Sequence, residues 1–125
     1  MIIGTGVDIV EIERFRKVIE RLKDRFLLRV FTEGERQFCE GHRDSAPHFA
    51  ARFAAKEAVF KALGTGWAKG VTWLDVEVMR QRHDPPRIIL SGEALRLSEK
   101  NGVHALHLSL SHTEHSAIAM VILEG

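Results

Sequence analysis

Between Phe49 and Leu63 the chain places charges where a buried helix should carry none. Phe49, Phe53, Phe60 and Leu63 recur at the spacing of one helical face. They predict a helix that follows Pro47, buries one stripe and stops near Gly64. Lys56 falls inside that stripe. Arg52 borders it on one side, and Glu57 and Lys61 border it on the other. A charge on an apolar face needs a partner or a task. Two readings are open. In one, Lys56 carries its amine past apolar neighbours to solvent, while Glu57 and Lys61 form an ordinary surface pair with the acid first. In the other, these three cations and one carboxylate assemble a site for a metal and phosphates.

Around this helix the pattern predicts an α+β fold. Ile2 to Val10 reads as a strand interrupted by Asp8, with Gly4 and Gly6 marking a close backbone approach or a bulge. From about Glu11 the period turns helical, with Ile12, Phe15, Ile19, Leu22 and Phe26 along one side. Thr32 opens a second helix, with Glu35 completing a capping box. His42 to Pro47 is a loop. After the Gly-rich connector Gly64 to Gly70, strands are expected at Trp73 to Met79 and Arg87 to Leu90. A short helix capped by Ser91 then begins near Gly92 and stops at Asn101-Gly102. Strands at about His104 to Ser111 and Ser116 to Leu123 close the chain. The result is an antiparallel β-sheet packed with a long central helix and shorter helices. The last strand is apolar at nearly every position, so both its faces need cover, and in a short chain another subunit supplies the second one.

At 125 residues, with a formal net charge of +1, the chain has the size of a single domain spanning 1–125 and lacks the charge of a dedicated nucleic-acid binder. Cys39 is its one cysteine. No internal disulfide is possible, as expected in a reducing compartment. The N-terminal strand lacks a basic leader before a long apolar run, and no segment is apolar enough for a bilayer span. These features predict a cytoplasmic protein.

Several residues are candidates for chemistry. Asp8 alone is a strand-end carboxylate facing solvent. If it meets Glu57, the two make a magnesium site whose other ligands are waters and substrate phosphates. Arg52, Lys56 and Lys61 then neutralise the remaining phosphate charge. Gly64-Thr65-Gly66 offers backbone N–H groups to phosphate, or is a plain helix stop. The spacing of His104/His107 and of His112/His115 sends each pair to opposite strand faces, and with one cysteine a structural zinc is excluded. His112 ends the row Leu106, Leu108, Leu110. It is either a satisfied core histidine or, beside Ser111 and Thr113, a phosphate contact. Arg14, Lys17, Arg21 and Arg25 share a basic side of the first helix, which is a solvated face or a dock for an acidic protein.

The chain resembles the holo-acyl-carrier-protein synthases, the small class of 4′-phosphopantetheinyl transferases. The resemblance rests on Gly6-Val7-Asp8-Ile9-Val10-Glu11-Ile12, on Arg52-Phe53-Ala54-Ala55-Lys56-Glu57-Ala58 with Lys61-Ala62, on Gly64-Thr65-Gly66, and on Ser109-Leu110-Ser111-His112-Thr113. It implies transfer of the phosphopantetheine arm of coenzyme A to a serine of an apo acyl carrier protein, for fatty-acid biosynthesis. Adenosine 3′,5′-bisphosphate is the other product. Asp8 and Glu57 match magnesium ligands, Lys61 a pyrophosphate-contacting lysine, and His112 a histidine near coenzyme A. Arg52 and Lys56 fall within the motif as phosphate contacts. The basic helix side matches the carrier dock, and the assembly implied is a homotrimer with sites between subunits. Glu57 is the first candidate for the base and Asp8 the second. The competing readings are a non-catalytic coenzyme A or nucleotide-binding module, a structural oligomer with interface ion pairs, and a metal-dependent phosphodiester hydrolase.

Overall fold

A computed structural model describes residues 1–65, 70–81 and 83–125. The chain runs β1 (Ile2–Glu11), α1 (Ile12–Leu22), α2 (Asp24–Val30), α3 (Glu33–Glu40), α4 (Ala46–Leu63), a 3₁₀ turn (Trp73–Asp75), β2 (Val76–Met79), β3 (Arg87–Leu90), α5 (Gly92–Lys100), β4 (Ala105–His112) and β5 (Ser116–Glu124). The expected α+β class holds. Among the described residues, however, the antiparallel strands form two sheets: a three-stranded one in the order β1-β5-β4 and the β2-β3 hairpin.

Helix α4 is the axis of the molecule. Pro47 lies in its first turn, and Gly64 ends it with φ of 74°, a left-handed conformation that costs glycine little. Its alanines allow close approach on almost every side. Ala50, Ala54, Ala55, Ala58, Val59 and Phe60 are all buried. β1 crosses it with Gly4 and Gly6 facing the helix, and a Cβ at either position would overlap the carbonyl oxygen of Ala62 or Ala58. That approach also sets the faces of the sheet. Gly6, Asp8 and Val10 turn toward α4, and Val7 and Ile9 turn away.

The expected first helix is two helices. Lys23, with φ of 52°, breaks the run, and α2 starts again at Asp24. Phe15, Phe26 and Phe53 still meet, with ring centroids 5.0–6.3 Å apart. The aromatic spacing is therefore a packing signal, and the contacts form across the bend. At α3 the capping box of Thr32 and Glu35 forms as expected. At α5 the Ser91 side chain makes no capping bond. Asp75, from the 3₁₀ turn, accepts instead from the Ala94 N–H at 3.4 Å. Trp73–Asp75 folds into that turn rather than extending β2, because Thr72 and Asp75 form their own capping box.

The inner face of β5 is core, with Ala117, Ala119, Val121 and Leu123 buried. The outer face of the same sheet carries Val7, Ile9, Ile118 and Met120, which are 40–65% exposed. Paired register places Val7 opposite Met120 and Ile9 opposite Ile118, making one contiguous apolar patch.

Candidate active site

The approach of β1 to α4 brings Asp8 to the turn of the helix that carries Glu57 and Lys61. The Lys61 ammonium donates to Asp8 Oδ1 and to the Val7 carbonyl, each at 3.0 Å. Glu57 is half-buried. Burial raises its carboxyl above the usual range, the nearby Asp8 charge raises it further, and Lys61 opposes both. Two carboxylates from different elements thus face one space while repelling each other. That donor set suits a hard divalent cation, which would relieve the repulsion.

Asp8 and Glu57 form one rim of a cavity of about 530 Å³ between β1, α1 and α4. Its floor is apolar, built from Phe15, Val18, Phe26 and Phe53, and Arg14 stands at its edge. Arg14, Lys17 and Arg21 are exposed on α1, with Arg14 near Glu11 at 3.8 Å. Arg25 is also exposed but belongs to α2, beyond the break at Lys23. The four basic residues are therefore divided between α1 and α2.

Lys56 is neither a phosphate contact nor a snorkelling side chain. It is wholly buried, and its ammonium is bonded to Glu35 Oε1 at 2.8 Å, to the Trp73 carbonyl at 3.0 Å and to the Val76 carbonyl. No donor is left for a substrate. In the sequence Glu35 reads as a cap only. The missing signal was Lys56 itself, since a buried amine demands a buried acceptor.

Arg52 is also buried, at 3% exposure. Its guanidinium lies 4.1 Å over the Phe38 ring, and Nη1 reaches the His48 carbonyl at 3.5 Å. Nε and Nη2 have no hydrogen-bond partner among the described residues. His48, unremarked in the sequence, stacks on His42 with centroids 3.7 Å apart and meets His112 edge-on at 6.1 Å. Burial and the neighbouring His42, Arg52 and His112 lower the His48 imidazole to about 4.

His112 is exposed, so it is not a core histidine. It lines a second cavity with Glu13, Arg16, Asp44 and Pro47. Ser111 faces the other side of the sheet, opposite Ile118, so Ser111 and His112 do not converge. The Thr113 hydroxyl oxygen accepts the His115 and Ser116 N–H groups at 3.2 and 3.1 Å, which closes the β4-β5 turn. Ser111 and Thr113 are thus a surface and a turn residue. Gly64 acts as the helix stop, and Gly66 lies outside the described residues.

The sequence profile of the 4′-phosphopantetheinyl transferase superfamily matches residues 4–121. The chain is 48% identical to the holo-[acyl-carrier-protein] synthase of Koribacter versatilis over 99% of both chains. Among solved structures, it is similar to the synthase of Bacillus anthracis in complex with CoA (3′,5′-ADP), with a TM-score of 0.80 and 40% identity over 98% of this chain and 96% of that one. It is also similar to the Helicobacter pylori synthase in complex with coenzyme A, with a TM-score of 0.84 and 34% identity over 96% and 99%. The chain belongs to the 4′-phosphopantetheinyl transferase superfamily, and within it to the holo-[acyl-carrier-protein] synthases, a family of enzymes.

Proposed function

We propose that the chain transfers the 4′-phosphopantetheine arm of coenzyme A to a serine of an acidic apo acyl carrier protein. The products are the holo carrier and adenosine 3′,5′-bisphosphate, and the physiological setting is fatty-acid biosynthesis in the cytoplasm. The observation that carries this reading is the meeting of Asp8, Glu57 and Lys61 beside a cavity edged by the basic face of α1. The identity to the synthases and the coenzyme A complexes of related structures support it.

In this reading Asp8 and Glu57 hold a magnesium ion, which when bound neutralises charge on the pyrophosphate of coenzyme A. Lys61 is half-exposed, at 53% of its side chain, and swings from Asp8 to a phosphoryl oxygen. There it stabilises charge building as the serine oxygen attacks the phosphorus that bears the pantetheine. The bond from that phosphorus to the bridging oxygen breaks, and the nucleotide leaves as a phosphate that needs no proton. The serine proton passes to a carboxylate. Glu57 is the first candidate for that base and Asp8 the second. His112 contributes a contact to the phosphates of coenzyme A, whereas Arg52 is buried under Phe38 with its unpaired nitrogens out of reach of a ligand. Arg14, Lys17, Arg21 and Arg25 dock the carrier. The apolar outer face of the β1-β5-β4 sheet packs against other copies in a homotrimer, and residues 1–125 act as one catalytic domain.

Intact-mass spectrometry of an apo carrier incubated with this chain, coenzyme A and magnesium tests the reading. A gain of one phosphopantetheine, absent with EDTA, is expected. An unchanged mass across several apo carriers, with folded enzyme, would overturn it.

A further inference from the structure

The buried pair of Glu35 and Lys56 sits at a backbone problem. β2 is bonded along one edge to β3. Its other edge faces α3 and α4 in the core, where Val76 and Val78 are 0% and 4% exposed. Among the described residues, backbone groups there have no strand to pair with, and a buried backbone group left unpaired is costly. The two side chains stand in for the absent strand. Lys56 donates to the Val76 and Trp73 carbonyls, and Glu35 Oε2 accepts the Val78 N–H at 2.8 Å. Glu35 Oε1 also accepts the Thr32 N–H at 2.9 Å, which ties in the start of α3. Thr32 in turn donates its hydroxyl to Glu77 Oε2 at 2.5 Å.

The same bonds fix α4 in rotation and in height. Lys56 and Glu57 are consecutive, so their side chains leave the helix about 100° apart. One side of this turn is held to β2 by the Lys56 ammonium. The other is held to β1 by the seat of Gly6 under the Ala58 carbonyl. Any rotation of α4 between these clamps would swing Glu57 away from Asp8. We propose that Glu35 and Lys56 are positioning residues for the phosphopantetheinyl transfer, acting through the helix to set Glu57 against Asp8. The inference rests on the proposed transferase reading and adds two residues that touch no substrate.

The test uses the full chain with Glu35→Gln, and with the double change Glu35→Gln and Lys56→Met, which leaves no lone buried charge. Folded fraction is measured by circular dichroism, turnover is expressed per folded molecule, and manganese binding to resting enzyme is followed by electron paramagnetic resonance. Wild-type transfer is the reference, so failure of the transferase reading shows there alone. The expected result is a folded variant with manganese affinity and kcat each lowered about 10- to 100-fold, as for groups that orient metal ligands. The Michaelis constant for the carrier should be unchanged. Folded variants with wild-type manganese affinity and kcat would overturn the proposal. So would loss of fold in both variants, which would assign the pair to stability alone.

Discussion

Gly6 of β1 lies beneath the carbonyl oxygen of Ala58 on α4, with no space between them for a Cβ. Asp8 is two residues further along the same face of the strand, and Glu57 precedes Ala58 on the helix. Gly6→Ala therefore pushes apart the two elements that carry the carboxylates. The expected cost is about 3 kcal/mol, at the upper end for overpacking because the obstacle is backbone. Urea unfolding of this variant beside Gly41→Ala checks it, since a Cβ at Gly41 comes no closer than 3.4 Å to any neighbour. Equal midpoints for the two variants would refute the close-approach argument.

Much of this was legible in the sequence because the signals were local. The Gly-Gly-Asp row of β1, the proline and glycine bounding α4, and the capping box at Thr32 each depend on a few neighbouring residues. What stayed hidden needed contacts between distant segments. Lys56 stood out as a misplaced charge, yet its partners come from α3 and β2. Arg25 reads from the sequence as part of the first helix, and the positive φ of Lys23 that puts it on α2 leaves no compositional trace. Ser111 and His112 were grouped by adjacency, although a strand sends neighbours to opposite faces.

Removing the charge of Glu57 should separate stability from function. The carboxylate is held in a half-buried site beside Asp8, so at neutral pH its charge costs folding energy. Glu57→Gln removes that cost. In EDTA its thermal midpoint should equal or exceed the wild-type one, by less than about 1 kcal/mol in stability. Metal-dependent transfer should fall at least roughly 100-fold. Calorimetry in EDTA and the mass assay in magnesium, on one preparation, decide. A destabilised variant with normal turnover would show that Glu57 is a structural residue.

The basic face of α1 predicts a salt-dependent phenotype. Lys17 and Arg21 are exposed, and neither lines the cavity beside Asp8. Lys17→Glu with Arg21→Glu should raise the Michaelis constant for an acidic carrier about tenfold at low salt, and less as the salt rises. The constant for coenzyme A should not move. Steady-state kinetics at two ionic strengths would show this, and a carrier constant insensitive to both substitutions would remove α1 from the docking surface.

His48 should make the fold acid-sensitive. Burial first, then the charges of His42, Arg52 and His112, hold its imidazole at about 4, below the ordinary value of 6.5, and Asp44 opposes them. Between these two values the unfolded chain binds a proton that the folded chain refuses. Stability is therefore fully present above the unfolded value and is lost as pH falls toward the folded one. The loss should amount to roughly 1 to 2 kcal/mol, allowing for solvent screening of a partly exposed ring. His48→Phe retains a flat ring against His42 and has no proton to bind. Urea unfolding of both proteins at about pH 7.5 and pH 4.5 isolates the effect from the other titrating groups. The wild type should lose more stability than the variant on acidification. Identical losses would mean that His48 keeps its ordinary proton affinity in the folded chain.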